Sequence, residues 1–544
     1  MKKSIRNFNI AVFFVITAFA VTSCGIPKAL IPNWWFMKKA RTSADLRDNP
    51  KIYDEEGDTE VIHLYATVMP DGNSFRDLAS SGGEGEVSIL LQEGDESRPL
   101  EGLFGYGASG ANAKMKLAGN IMEDPQQNSY NITLDGESDS LYEIRSINLN
   151  KNPFDLTKMR NKLAFDYFRK IDNLVSARTR FVTLHIKDLS AGDKGFVDYG
   201  LYTGVEEANA DYLKSHGLDP QGMLYKAQYF EFIKIKEPFE ADAEPGYTKE
   251  NFNKILEVKA GSDHKKVLTV VDDINNPKLN SDGVIERYFN KNNYLTWLAV
   301  NIIMGNLDAN AKNFMLYSAS DSPTWYFLPY DNATSMGYYG QTGYFQTPLS
   351  SWQAGVSNYW VSQLHRQFIS NPQNLEALTR KIEELKSIIN RDTTLEMLNG
   401  YYRAVSRYIN ADPATIQAEI ERIAGEPQKN IERYYDSLYL PMPVFTSGIL
   451  ERDDKNYFSC QDGVSLIGGG VYYDFVLGHD PEFNSIIEQI DDSTLNEFFV
   501  NKLGPGVYYY KISLKNDNGD IQLSFDKYDD GSKIYFGVRQ CIVE

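Results

Sequence analysis

The stretch from Asn293 to Asp331 restricts the fold more than any other part of this chain. NYLTWLAVNIIM places Tyr294, Leu298 and Ile302 at helical spacing, and Gly305 follows as a stop. The polar loop NLDANAKN comes next. Phe314 to Ser318 and Thr324 to Pro329 then read as two short strands joined by a turn, and Asp331 sits just beyond the second. A carboxylate (Asp308), a carboxamide (Asn313) and a second carboxylate (Asp331) therefore fall at the edges of rigid apolar elements. Asp and Asn also cap helices and tolerate turns, so each alone is ordinary. The three in this order form a candidate site.

The rest of the chain supplies enough material for more than one core. Of 544 residues, 42% are hydrophobic, which suffices for globular folding. From Val61 to Ile147 the pattern is short strands: VIHLYATV, EVSILLQE, AKMKLAG and SYNITLDG. A helix follows, carrying Met159, Leu163, Tyr167 and Ile171 on one face, with Asp155 or Thr157 as its cap. Strands are expected over Arg180 to Lys187 and Gly200 to Val205, and a helix over Ala208 to Ser215. Gly246 to Gly283 is polar and gives no clear pattern. Beyond Asn290 the chain reads as mostly helical, with Pro413 opening one clear amphipathic helix. The texture changes at Leu440-Pro441-Met442-Pro443. The remainder alternates like strands, with a hairpin turn near Asn518-Gly519, and is read as a separate β-sandwich module over 441–544, similar to fibronectin type III domains in length and hairpin pattern. The overall class is α+β.

The formal net charge of -19 argues against a nucleic-acid partner. Six His and three Cys offer no zinc spacing. The N-terminus reads as a targeting segment: Lys2, Lys3 and Arg6, then an apolar run from Ile10 to Val21, then Val21-Thr22-Ser23-Cys24. It resembles the lipobox of bacterial lipoproteins, in which the thiol corresponding to Cys24 is lipidated. Residues 25–60 would be a tether and lead-in. The expected location is the cell envelope, lipid-anchored at the outer membrane or the cell surface. That compartment permits a disulfide between Cys460 and Cys541, although spacing alone does not decide it.

The order helix, loop with D-x-x-x-x-N, hairpin, Asp is the order in which protein kinases present their catalytic loop and metal-binding Asp. Phosphoryl transfer needs a carboxylate near the attacking hydroxyl and hard oxygen ligands for the metal. The chain more specifically resembles the CotH kinase family of atypical kinases, over roughly Lys114 to Leu438. The resemblance is carried by NYLTWLAVNIIMGNLDANAKNFMLY, TWYFLPYDNATSMG, GLYTGVEEANADYL, MLYKA, INLNKNPFDLTKMRNKLAFDYF and YWVSQLHRQFISNPQNLEAL. It implies a two-lobed kinase-like domain over 61–438, with a β-rich N-terminal lobe, a mainly helical C-terminal lobe and a lobe change near 206–225. It further implies Asp308 as catalytic Asp and Asn313 and Asp331 as metal ligands. Glu206, Lys226 and Arg160 would lie at the nucleotide. ATP and Mg2+ (or Mn2+) would be the cofactors, and a protein of the cell envelope the substrate.

The chain departs from the family at two cationic positions. Ala118 stands where an Arg is expected and Asn128 where a Lys is expected. Lys114, Lys116 or Lys226 are the candidate substitutes; Lys114 and Lys116 read more simply as solvated or snorkelling side chains. Arg160, on an amphipathic helix, reads either as a phosphate ligand or as solvent-facing. Gly105 to Gly110, GYGASG, fits G-x-G-x-x-G, but no helix opens after it, so a glycine-rich turn is the simpler reading. His365 has no His or Cys partner nearby and reads as structural. The aromatic run from Gly337 to Trp352 reads as a substrate loop, a carbohydrate-contacting surface or an irregular packed loop. Three functional readings follow: a kinase of exported proteins, a catalytically degenerate scaffold of the same family, and a surface lipoprotein that binds glycan or protein through its β module and aromatic loop.

Overall fold

The computed structural model describes residues 44–53, 60–70, 74–75, 78, 85–136, 140–234, 248–341 and 349–543. Cys24 and its apolar leader lie outside the described residues, as do positions 342–348 of the aromatic run. The first architectural unit is a closed barrel. Its strands are β1 (Val61–Val68), β2 (Glu86–Gly94), β3 (Ala113–Ala118), β4 (Ser129–Leu134), β5 (Ser146–Asn150), β6 (Thr179–Asp188) and β7 (Val197–Glu206). Their order is β1-β2-β3-β4-β5-β7-β6. Alternation drives the closure. On β3, Ala113, Met115 and Leu117 point inward while Lys114 and Lys116 point out. The barrel interior is filled by Leu64, Ile89, Met115, Ile132, Leu149 and Leu184 and their neighbours. β1 closes on β6 in parallel, from Val61↔Phe181 to Val68↔Asp188, which leaves the barrel no free edge.

Between β5 and β6 runs α1 (Arg160–Arg169). Neither Asp155 nor Thr157 is its N-cap residue; Met159 holds that position without a side-chain bond. Asp155 instead accepts from the Arg160 N–H from five residues back. After the barrel come α2 (Ala210–Ser215) and β8 (Met223–Ala227). The polar region without a clear pattern yields α3 (Lys249–Asn253), β9 (Leu256–Ala260) and α4 (Lys265–Ile274). Then follow α5 (Ser281–Tyr288), α6 (Lys291–Met304), β10 (Phe314–Ser318) and β11 (Tyr326–Pro329). These strands form one sheet in the order β11-β10-β8-β9.

The helix α6 is apolar on all sides and correspondingly buried, from Asn293 to Met304. Asn290 caps it by accepting from the Asn293 N–H at 2.8 Å. The buried Asn293 side chain donates to Phe327 O and accepts from Phe327 N–H, which clamps β11 onto the helix. Four helices follow: α7 (Gln363–Ile369), α8 (Pro372–Leu385), α9 (Arg391–Val405) and α10 (Pro413–Tyr439), of which α8 and α10 pack directly on α6. Pro372 and Pro413 open α8 and α10, where a missing N–H costs nothing.

The C-terminal region contains ten strands. They are β12 (Leu450–Arg452), β13 (Lys455–Ser459), β14 (Tyr472–Gly478), β15 (Ile486–Ser493), β16 (Glu497–Asn501), β17 (Gly506–Lys515), β18 (Ile521–Leu523), β19 (Lys527–Asp529), β20 (Ile534–Phe536) and β21 (Val538–Val543). β12-β13-β16 form one sheet, and β15-β14-β17-β18, with β21 also on β17, form another. Both contribute to one core through Phe458, Phe498, Phe475, Tyr510 and Ile512. Cys460 and Cys541 are free thiols in that core, not a disulfide. Burial raises both, Cys460 to about 12 and Cys541 to about 11.

Candidate functional site

Gly305 ends α6 in the left-handed region (φ 61), and a Cβ there would lie 2.5 Å from the Asn430 side chain of α10. This close approach starts the loop that carries Asp308 on a short 3-10 turn, Leu307–Ala309. Buried asparagines hold the loop. Asn306 donates to Asn301 Oδ1 at 3.1 Å and to Asn332 Oδ1 at 3.0 Å, so the segment after β11 is tied to the loop after α6. Tyr359 and Asn358 bind the carbonyls of Asn306 and Leu307. Asn313 adopts φ 58, and its N–H donates to Ala227 O at the end of β8.

These elements meet the end of the barrel at a cleft of ≈ 530 Å³. Five of the residues singled out from sequence line it: Asp308, Asn313, Asp331, Glu206 and Lys226. Asp331 sits at depth, with Oδ1 accepting from the Ala333 N–H at 3.0 Å. Burial pushes its carboxyl up; the Ala333 bond and the Lys226 charge pull it back, and the Asp308 charge adds to the rise. Asp308 accepts from the Thr334 hydroxyl at 3.2 Å and faces Lys312 at 3.4 Å. Lys226 lies over the Tyr330 ring, 4.4 Å from its centroid, and 3.8 Å from Glu257. Burial lowers its pKa.

Glu206 ends β7 at the cleft wall. It is held by Arg178 through two bonds, of 2.6 and 3.0 Å, and by His216 Nε2 at 3.0 Å. Burial alone would raise its carboxyl, but the bonds from His216 and Arg178 outweigh it and hold it at about 2. The other nitrogen of His216 meets Asp48 Oδ1 at 2.6 Å, so the lead-in reaches the cleft wall through one imidazole.

Arg160 departs from both of its expected positions. It neither lines the cleft nor faces solvent. Its side chain is fully buried and its guanidinium is engaged by Asp155, Glu419, Gln341 Oε1 and Met336 O. Asn128 is also away from the cleft: it is buried and accepts from the Met122 N–H at 2.6 Å, whereas Ala118 does line the cleft. Lys114 pairs with Glu86 on the outer barrel face. Gly105 and Gly107 form a left-handed turn in the β2–β3 connection, outside the cleft. His365 is buried against Tyr294 at 2.6 Å, and burial pushes it down to about 3, a structural role.

The sequence reading missed Lys312, Asn148 and Asn150. Lys312 follows Asp308 by one helical turn inside the same motif, which was the available signal. Asn148 and Asn150 share one face of β5, opposite Leu149 in the barrel core. Among the described residues, Lys226 and Lys312 are the cations lining the cleft. No cluster of three or more His, Cys, Asp or Glu suited to a metal occurs among the described residues. Asp308, Asp331 and Asn313 bring two carboxylates and a carboxamide to the cleft, a set that fits a hard cation that keeps waters or phosphate oxygens.

Comparison with known proteins places this geometry in context. The model of the CotH kinase protein family matches residues 115–437, well over half of the chain. Inner spore coat protein H of Bacillus subtilis (strain 168) is 23% identical over 224 residues, covering 40% of this chain. The match takes in 57% of that relative's length. The HipA, HipB and operator DNA complex of the Shewanella oneidensis MR-1 toxin–antitoxin system aligns with 67% of this chain and 82% of that one. Its identity is 12% and its TM-score 0.22, too low to support an argument.

Proposed function

This chain belongs to the CotH kinase family, and from that membership we propose that it is an atypical protein kinase of the cell envelope. It would transfer the γ-phosphate of ATP to Ser-type hydroxyls of exported proteins. The observation that carries this reading is the convergence of Asp308, Asn313, Asp331, Lys226 and Glu206 on one cleft. In this reading the barrel is the N-terminal lobe, the helical region around α6 is the C-terminal lobe, and the nucleotide lies between them. Residues 441–544 would be a fibronectin type III-like sandwich.

Each residue then has a defined task. Asp308 orients the acceptor hydroxyl and takes its proton. The hydroxyl oxygen forms a bond to the γ-phosphorus, the bond to the bridging oxygen breaks, and ADP leaves with that electron pair. Lys226 and Lys312 place positive charge beside the phosphates. Asn313 and Asp331 would hold magnesium, which when bound neutralises charge on the phosphate oxygens. Asp331 suits this role because it is kept at depth with no direct ion-pair partner among the described residues. Glu206 fixes the end of β7 rather than touching phosphate, since its oxygens are already taken by Arg178 and His216.

The test is transfer of labelled phosphate from ATP to Ser-containing peptides, with Asp308→Asn alongside. Loss of the base should lower kcat by about 10²–10⁴-fold; unchanged transfer would refute the assignment. A second reading, a degenerate scaffold, is favoured by Ala118 at the cleft and by Asn128 lying away from it. It expects no transfer by either protein. We also propose lipidation at Cys24, supported by the lipobox-like Val21-Thr22-Ser23-Cys24. Cys24→Ala should release the protein from membranes, and a variant that stays bound would sink the idea.

A further inference from the structure

Beside the cleft lies a second cavity of ≈ 500 Å³. Thr334 and Tyr338 line both spaces, so the two share a wall. Asp308 is bonded into that wall. It accepts from Thr334, and burial together with the Asp308 charge raises the pKa of Tyr339, which lines only the second cavity. A hydroxyl entering from this side meets the shared wall, next to the cleft that Asp308 lines. One buried polar group sits in the cavity wall. Ser350, which lines it, is 5% exposed, and its Oγ has no hydrogen-bond partner. A buried hydroxyl without a partner is costly unless something completes it.

The charge of the cavity specifies what enters. Its charged lining residues are Arg422, Arg433 and Glu426. Glu426, only 4% exposed, is shared by Arg422 at 3.2 Å, Lys429 at 3.3 Å and Arg433 at 3.6 Å. Arg422 is also held by Glu419 at 2.7 Å, so the positive surplus rests on Lys429 and Arg433, which share Glu426, on a chain whose formal net charge is -19. Arg433 and Lys429 are half exposed and able to meet a ligand.

We propose that this cavity is the acceptor site and that it selects a Ser-type hydroxyl carried on an acidic peptide segment. The inference rests on the kinase reading of the adjoining cleft. Arg433 and Lys429 read the acidic flank, and Thr334 holds the Asp308 carboxylate toward the hydroxyl.

The experiment is direct binding of labelled Ser peptides, flanked by Asp and Glu, by Ala, or by Lys and Arg, followed by fluorescence anisotropy with the full chain. The acidic peptide should bind about tenfold or more tighter than the neutral one, an advantage that shrinks with added salt. Arg433→Glu should erase it. Lys429→Glu, at an exposed helical position, should weaken it in the same direction and guards against misfolding of the first variant. Equal binding of the three peptides, no binding of any, or indifference to both charge reversals would overturn the proposal. ATP binding is followed separately by calorimetry. Charge-selective peptide binding without ATP binding refutes the kinase reading and leaves the cavity a peptide-binding site only, whereas ATP binding without charge selection refutes this inference alone.

Discussion

Replacing His216 by Gln is expected to destabilise the protein strongly and to remove a specific pH dependence. Both ring nitrogens of His216 face carboxylates, Asp48 at 2.6 Å and Glu206 at 3.0 Å. Both partners are acceptors, so the ring must donate twice and is an imidazolium. Its side chain is 0% exposed and that of Glu206 4%. Tyr53 and Ser215 complete the shell through Asp48 and Glu206, Arg178 supplies the second cation, and Tyr212 packs on the ring. Each buried charge-assisted bond contributes about 1.5–3 kcal/mol, and breaking a buried pair costs about 3–5 kcal/mol. Gln retains a single neutral bond at best, so a loss of about 3–5 kcal/mol is expected.

The pH dependence has a definite sign. Burial lowers the His216 pKa, but the bonds to Asp48 and Glu206 outweigh it and raise it above 6.5. The folded state therefore keeps a proton that the unfolded chain loses. This stabilisation is complete below pH 6.5 and is lost as pH rises through the raised value. Glu206 acts at the other end: its contribution is present above pH 4.5 and is lost as pH falls toward about 2. Urea unfolding followed by tryptophan fluorescence at pH 6 and pH 8.5 tests the account. The parent protein should lose stability between the two, and His216→Gln should lose much less. A substitution costing below about 1 kcal/mol, or an unchanged pH slope, would refute the reasoning.

Arg160→Met should cost about 3–5 kcal/mol, because it strands the buried Asp155 without its ion-pair partner and leaves Glu419 with Arg422 alone. Thermal unfolding reads this, and a shift no larger than that of a surface mutant would contradict it. Lys226→Met, at the cleft, should instead weaken ATP binding by about 1.5–3 kcal/mol, roughly tenfold or more, as measured by calorimetry. Equal ATP affinity in the variant would remove Lys226 from the site.

Those two residues also show where the sequence was legible and where it was not. Short-range signals read well. The apolar run from Asn293 and Gly305 are a body and a stop, and the structure ends the helix at Gly305. Lys114 and Lys116, read as solvated, do point outward on β3. Arg160 was not legible, because its fate is decided by Glu419, 259 positions away. The same holds for Asp48 and His216, separated by 168, and for the parallel closure of β1 on β6. β9 was missed because LEVKA, although it alternates apolar and charged residues, is only five residues long and lies in a polar stretch. Lys312 was visible in the quoted motif, but its role emerges only where the 3-10 turn brings it back toward Asp308.

The most direct measurement is calorimetric titration of the purified protein with ATP, with and without magnesium, beside Asp331→Ala. The account predicts binding that requires the metal and disappears in the variant. Metal-independent binding that survives Asp331→Ala, or no binding to the parent protein under either condition, would contradict it.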